Sequence, residues 1–181
     1  MKALIVIDYT KDFVDGNLPV GEPAIAIEER VVDITKQFIH NNDYVVMAVD
    51  LHDEKDHFHP ETSLFPPHNI RNTAGRELYG RLGTLYEDNK ESIYFMDKTR
   101  YSAFAGTDLE MKLRERGITE VHLIGVCTDI CVLHTAVDAY NKGFSITVYE
   151  DATASFNAEG HVWALGHFKN SLGATVTKQT R

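Results

Sequence analysis

The two cysteines of this chain, Cys127 and Cys131, stand four residues apart in GVCTDICVLHTAVDAY (125 to 140), directly after an apolar run. Sulfur at that spacing offers three chemistries: a disulfide, a pair of metal ligands, or a nucleophile. A disulfide fits poorly, because two cysteines within one helical turn are badly placed for bridge geometry. A chain with so few cysteines and no secretion signal also suits a reducing compartment. For a nucleophile there is a direct physical reason. A thiolate in the first turn of a helix faces free backbone N–H groups and the positive end of the helix dipole, and both lower its pKa. Thr128 occupies an N-cap position, which puts Cys131 in that first turn and Cys127 at the end of the preceding strand. The competing reading is a buried cysteine that only packs an apolar helix.

Nucleophilic sulfur needs a proton acceptor and a nearby cation. Asp8, Asp50, and Asp97 with Lys98 each end an apolar run, as Cys127 does. If Asp8 and Lys98 converge on Cys131, the carboxylate can take the thiol proton while the ammonium favours the anionic forms. Taken singly, the aspartates also suit turns and caps, and the lysine a solvated surface. A second constellation lies in DLHDEKDHFHPETSLFPPH. Asp50 and His52, one residue apart on a continued strand, leave on the same face. His68 can close a site from the loop, Glu61 is a candidate fourth ligand, and His57 and His59 compete with them. Imidazole and carboxylate donors suit zinc, iron, manganese or cobalt, with positions left for water or substrate. The alternative is a polar, histidine-rich loop without an ion.

These residues need a scaffold that gathers strand ends. Apolar, β-branched runs recur at 3 to 8, 44 to 50, 92 to 97, 120 to 126 and 145 to 150, with a short sixth at 174 to 177. Near-continuous apolar runs suit strands covered on both faces, as in a parallel sheet. Helical periodicity fills 23 to 40, 107 to 117, 128 to 143 and 157 to 170. Thr107 and Thr128 stand at N-cap positions, and Gly117 and Gly143 at C-cap positions. The alternation predicts an α/β fold with right-handed crossovers, whose ligands bind outside the carboxyl ends of the strands. Segment 51 to 91 reads as one long irregular loop, holding three of five prolines and four of nine histidines, and loops that long are usually functional.

Composition sets the outer bounds. At 181 residues and 43% hydrophobic, the chain is expected to form a single domain over 1 to 181. With 27 acidic against 18 basic residues, its formal charge of -9 disfavours nucleic acid and anionic membrane surfaces as partners. The apolar stretch in MKALIVIDYTKDF is too short for a signal segment or a membrane span, which predicts a cytoplasmic protein.

The segments LIVIDYTKDF, AVDLHDEKDHFHPETSLFPPH, FMDKTRYSAFAGTDLE and GVCTDICVLHTAVDAY together resemble the cysteine hydrolases of the isochorismatase-like superfamily, and within it the bacterial nicotinamidases, or pyrazinamidases. The resemblance extends to ALGHFKNSLGA near the chain's end. It implies a three-layer, Rossmann-like α/β fold with a six-stranded parallel sheet in the order 3-2-1-4-5-6. It implies a catalytic triad of Asp8, Lys98 and Cys131 and an oxyanion hole from the backbone of Cys127 and Cys131, with a cis peptide joining Val126 to Cys127. Asp50, His52 and His68 match the ligands of one divalent ion, zinc before iron, manganese or cobalt. Glu61 matches an additional ligand found in some members. Phe13, Phe65 and Tyr101 match the aromatic walls of the substrate pocket. Many relatives carry Ala at 127, which leaves the role intact because it uses backbone. The implied reaction converts nicotinamide to nicotinate and ammonia in NAD salvage, through a thioester on Cys131. Relatives occur as monomers and as larger assemblies, so a homo-oligomer stays open. Two alternatives stand beside this expectation: a sibling amidohydrolase or isochorismatase-type enzyme with another small substrate, and a nonenzymatic metal-binding module.

Overall fold

A computed structural model describes residues 1–178. Six parallel strands, β1 (Ala3–Ile7), β2 (Tyr44–Asp50), β3 (Ile93–Lys98), β4 (Glu120–Val126), β5 (Ser145–Ala154) and β6 (Thr175–Thr177), form one sheet in the order β3-β2-β1-β4-β5-β6. Helices α1 (Lys11–Val14), α2 (Glu22–Ala26), α3 (Glu28–His40), α4 (Gly80–Asn89), α5 (Leu109–Glu115), α6 (Leu133–Asn141) and α7 (Ala158–Ser171) cover its two faces. Along β1 the side chains alternate between two cores. Ala3, Ile5 and Ile7 pack with Leu109, Leu113, Ala136 and Phe168 from α5 to α7, whereas Leu4 and Val6 pack with Val31, Ile34, Phe38 and Leu82 from α3 and α4. Burial on both faces explains why the run ALIVI is apolar without alternation. Each fully buried Val, Leu or Ile contributes about 1.5 to 3 kcal/mol.

The expected topology is observed, and four local expectations need correction. The helix predicted over 23 to 40 is two helices, broken where the Ile27 N–H turns back to the Ala24 carbonyl at 3.3 Å. Segment 51 to 91 is not wholly irregular, since α4 and two short 3₁₀ turns, Pro60–Ser63 and Ala74–Arg76, lie within it. Thr128 is not an N-cap: it opens a π-helical turn, Thr128–Val132, that precedes α6. Strand β5 runs on to Ala154 through a register shift against β4. Gly117 and Gly143 stand one residue past the C-caps of α5 and α6 with φ of 64° and 77°, as a left-handed helix end requires. No helix among the described residues is long and apolar enough to cross a membrane.

Strand order reverses between β1 and β4, and there the backbones approach closely. Gly125 has φ of +112°, and a β-carbon on it would lie 2.0 Å from the Ile7 carbonyl oxygen. Gly125→Ala must therefore push β4 from β1 next to Asp8. We expect it to cost about 3 to 5 kcal/mol of stability, read from the denaturant midpoint. An unchanged midpoint would mean that the two strands separate freely.

Candidate active site

The carboxyl ends of β1, β2 and β3 bring three buried charges together. Asp8 follows β1 with φ of 54°, its N–H held by the Ala48 carbonyl at 3.0 Å. Its Oδ1 accepts the Asp50 N–H at 2.8 Å, and its Oδ2 lies 2.7 Å from Lys98 Nζ. Lys98 is the register partner of Asp50, and its ammonium also reaches Asp50 Oδ1 at 3.2 Å, the Arg100 carbonyl at 3.2 Å and Cys131 Sγ at 3.7 Å. Asp8, Lys98 and Cys131 thus meet across the point where strand order reverses, the usual place for a ligand crevice in an open α/β sheet. Asp97, which precedes Lys98 at the end of β3, is exposed and pairs with Arg76.

Burial sets the direction of titration at Asp8 and Cys131. It raises the Asp8 carboxyl to about 6, with Lys98 opposing and Asp50 adding to the rise. The Cys131 thiol is raised well above its ordinary value by burial, against Lys98 and with Asp8 and Asp50. The helix-dipole argument from sequence gives the opposite direction. It fails because Cys131 lies in the π turn and is 4% exposed, and desolvation of a thiolate outweighs one neighbouring ammonium. Burial thus favours the neutral thiol over the thiolate at Cys131. Lys98 itself stays charged: burial disfavours the ammonium, but Asp50 and Asp8 outweigh it.

The other oxygen of Asp50 faces a second group. Asp50 Oδ2 lies 2.9 Å from His52 Nε2 and 3.6 Å from His68 Nε2, and His68 Nε2 lies 3.6 Å from Glu61 Oε2. Donor atoms of Asp50, His52, Glu61 and His68 all fall within 4.8 Å of one another, and all four residues are buried. A parallel bridge of His52 with Ile70 draws the loop back to β2, so that two histidines far apart in sequence become neighbours. His68 Nδ1 is tied to the Pro66 carbonyl at 2.8 Å, which leaves Nε2 facing the group, buried and without a hydrogen bond. These donors fit a borderline divalent ion, with two carboxylates to balance its charge and an imidazole already oriented by its other nitrogen. Against burial, the carboxylates of Asp50 and Glu61 raise the His68 imidazole to about 10, so the group attracts positive charge. His59, a competitor in sequence, hydrogen-bonds the Thr99 carbonyl at 2.7 Å and caps the Pro60–Ser63 turn; His57 is exposed.

Of the aromatic residues, Phe13 lies 5.1 Å and Phe65 6.3 Å from the His68 ring, centroid to centroid. Tyr101, half-buried after β3, has its phenol pushed up by burial and then by Glu61 and Cys131, which marks it as a neighbour of both groups. A cavity of about 680 Å³ opens on the histidine side, against His52, Glu61, Phe65 and His68; Cys131 is not among its walls. The Val126–Cys127 peptide is cis, and the Cys127 carbonyl accepts from Ile130 and Val132 N–H at 3.1 Å each. Both thiols are free, and they belong to cores on opposite faces of the sheet, Cys131 with α5 to α7 and Cys127 with α1 to α4.

Three positioning residues escaped the sequence reading. Asp12 Oδ2 accepts the Asn69 N–H at 2.7 Å, Thr10 Oγ1 donates to Asn69 Oδ1 at 2.9 Å, and Arg76 Nε donates to the Asp50 carbonyl at 2.8 Å. The available signal for Asp12 was a second carboxylate four residues after Asp8, in a stretch that is otherwise core.

The Isochorismatase domain family matches residues 2–180. A Bacillus subtilis (strain 168) protein described as the uncharacterized isochorismatase family protein PncA is 66% identical over 181 residues, covering 98% of this chain and 99% of its own length. The crystal structure of nicotinamidase/pyrazinamidase PncA from Bacillus subtilis superimposes with a TM-score of 0.96 at 66% identity, covering 98% of this chain and all of that one (100%). Pyrazinamidase of Pyrococcus horikoshii in complex with zinc gives a TM-score of 0.86 at 30% identity, over 98% and 99% of the two chains. A sheet order, a strand-end cluster and a likeness that runs the length of the molecule converge on one assignment: this chain belongs to the isochorismatase family.

Proposed function

We propose that residues 1–181 form one amidohydrolase domain, a nicotinamidase that also takes pyrazinamide, releasing ammonia through a thioester on Cys131. The observation that carries this reading is the division of Asp50, which gives one oxygen to Lys98 at 3.2 Å and the other to His52 at 2.9 Å. A cysteine-based amide site and an ion-type site thereby share one wall. That arrangement suits a substrate with a ring donor atom at one end and a carboxamide at the other, which nicotinamide is. The relatives named nicotinamidase and pyrazinamidase support the same substrate class.

Asp50, His52, Glu61 and His68 would hold a divalent ion, which would supply a Lewis-acidic point for orienting a ring donor atom. Zinc is the first choice, with iron, manganese and cobalt as alternatives for the same donors. The remaining work falls to side chains and backbone. Phe13, Phe65 and Tyr101 wall the ring. Cys131 Sγ attacks the amide carbon as its proton passes to Asp8, and Lys98 keeps the local charge balanced. Backbone N–H groups of Cys127 and Cys131 receive the oxyanion, each worth about 3 to 4 kcal/mol in comparable sites. As the C–N bond breaks, Asp8 returns the proton to the leaving amine as ammonia forms. It then takes a proton from the water that hydrolyses the thioester, which gives nicotinate and restores the thiol.

The deciding measurement is ammonia release from nicotinamide, pyrazinamide and a panel that includes aliphatic, benzoic and N-carbamoyl amides. Preference for the pyridine and pyrazine carboxamides is expected. Faster turnover of benzamide, which lacks the ring nitrogen, would remove the substrate assignment. Chelation, or His52→Ala, should lower nicotinamide hydrolysis by about 100-fold or more, with added zinc, iron, manganese or cobalt restoring the chelated protein. Full activity in protein that elemental analysis finds free of metal would refute the ion's part.

A further inference from the structure

Asp129 lies inside the π turn, between the two residues whose backbone amides are proposed to hold the oxyanion, and its carboxylate is engaged by Ser155 beyond β5. Its Oδ1 accepts the Ser155 hydroxyl at 2.6 Å. Ser155 Oγ also receives the Asn157 N–H at 3.1 Å, and Asn157 Oδ1 in turn caps α7 by accepting the Gly160 N–H at 3.0 Å. On its other side the Asp129 carboxylate fills the space where a side chain at 160 would stand: a β-carbon on Gly160 would lie 2.0 Å from Oδ2 and 2.9 Å from Cγ. Next to it, buried Thr128 binds His161 of α7 through Oγ1 and Nδ1 at 2.8 Å. The cysteine-bearing turn is thus bolted to the first turn of α7 and to the end of β5 by contacts that touch no proposed reacting atom. The continuation of β5 through its register shift carries the chain to Ser155.

We propose that Asp129 is a positioning residue for amide hydrolysis, clamped between Ser155 and the bare backbone of Gly160 so that the Cys127 and Cys131 amides and the Cys131 sulfur hold one geometry through the reaction. The inference rests on the amidohydrolase reading above. Small displacements of such groups are costly, since a shift of about 1 Å made far from the chemistry can reduce rate about 100-fold. Asp129→Asn keeps an oxygen for Ser155, Ser155→Ala removes the hydroxyl alone, and Gly160→Ala drives a methyl group into the carboxylate.

The test measures kcat and KM for nicotinamide and, independently of any substrate, the rate at which iodoacetamide alkylates Cys131, read by mass spectrometry. Thermal melting and metal content are followed alongside. Ser155→Ala should lower kcat about 10-fold and Gly160→Ala about 100-fold, each with KM within about twofold and with slower alkylation. Placed in an Asp129→Ala background, Gly160→Ala should cost less than about threefold, because the carboxylate it collides with is gone. Should Gly160→Ala fail to fold, Ser155→Ala and Asp129→Asn carry the same comparison. Wild-type kcat and alkylation rate in Ser155→Ala and Asp129→Asn would overturn the proposal, as would a loss confined to KM or an undiminished Gly160 effect in the Asp129→Ala background. A wild-type protein inactive on every amide would instead sink the functional reading, and the alkylation rates would still decide whether the clamp positions the sulfur.

Discussion

Cys131→Ala should lower kcat for nicotinamide by about 10⁴-fold or more, while Cys127→Ala keeps most of the wild-type rate. The contrast follows from where each sulfur sits. Cys131 Sγ lies 3.7 Å from the Lys98 ammonium, and alanine removes the atom proposed to attack. Cys127 has its thiol in the opposite core, pushed up to about 12 by burial, and the role proposed for it uses only a peptide N–H that alanine retains. The small void left by its sulfur should cost about 1 kcal/mol of stability, too little to unfold the chain. Ammonia release would be measured for both variants together with metal content and circular dichroism. Brief treatment with an electrophilic amide should label Cys131 first. Equal losses in two folded variants would show that the pair acts jointly and that Cys131 alone is not the nucleophile.

The second large effect is expected at Asp8. Asp8→Asn should reduce kcat by about 10² to 10⁴-fold, because an amide can neither accept the thiol proton nor deliver it to ammonia. The substitution is nearly isosteric, and its oxygen can keep the 2.8 Å bond from the Asp50 N–H. Its nitrogen then meets Lys98 Nζ, now 2.7 Å from a carboxylate oxygen, so the ammonium must lean on Asp50 alone. A stability loss of about 1 to 3 kcal/mol should accompany the catalytic one. Turnover separates the two effects when it is measured well below the melting temperature. Near-normal kcat in folded Asp8→Asn would remove Asp8 from proton transfer.

How far the sequence reaches depends on how local the physics is. Strands β1, β2 and β4 announce themselves because burial on both faces demands uninterrupted apolar side chains, and chemistry follows at their carboxyl ends, where an open α/β sheet has its crevice. Asp50 and His52 could be paired from spacing alone. Helix α4 could not be seen, since Gly80 and Gly83 weaken its helical preference, and its reason for being lies in packing against α3. The π turn was equally hidden: Thr128 reads as a cap by residue type, yet its hydroxyl is taken by His161, thirty-three positions away. Desolvation reversed the expected direction at Cys131, because a dipole can be inferred from neighbouring residues but burial only from the whole fold. Positioning groups such as Asp12, Arg76 and Asp129 work across long separations in sequence and leave no spacing to recognise.

The loop that supplies three of the four buried donors has its own consequence. Between β2 and α4 the chain forms no strand and only two short 3₁₀ turns, so its order rests on separate pins in place of a continuous ladder, among them the His52–Ile70 and Thr10–Leu78 bridges, His59 on the Thr99 carbonyl, Asp12 on the Asn69 N–H, and Arg76 on the Asp50 carbonyl. Few cooperative contacts mean a low free energy of local opening, and amides of this segment should exchange with solvent well ahead of those in β1 and β4. Anything that grips His52, Glu61 and His68 at once ties distant points of the segment together and lowers the open population by the factor 1 + L/Kd, with L its free concentration. The donor loop is thus the part of the molecule whose rigidity is set by what it holds, whereas the sheet beneath it stays closed in either condition.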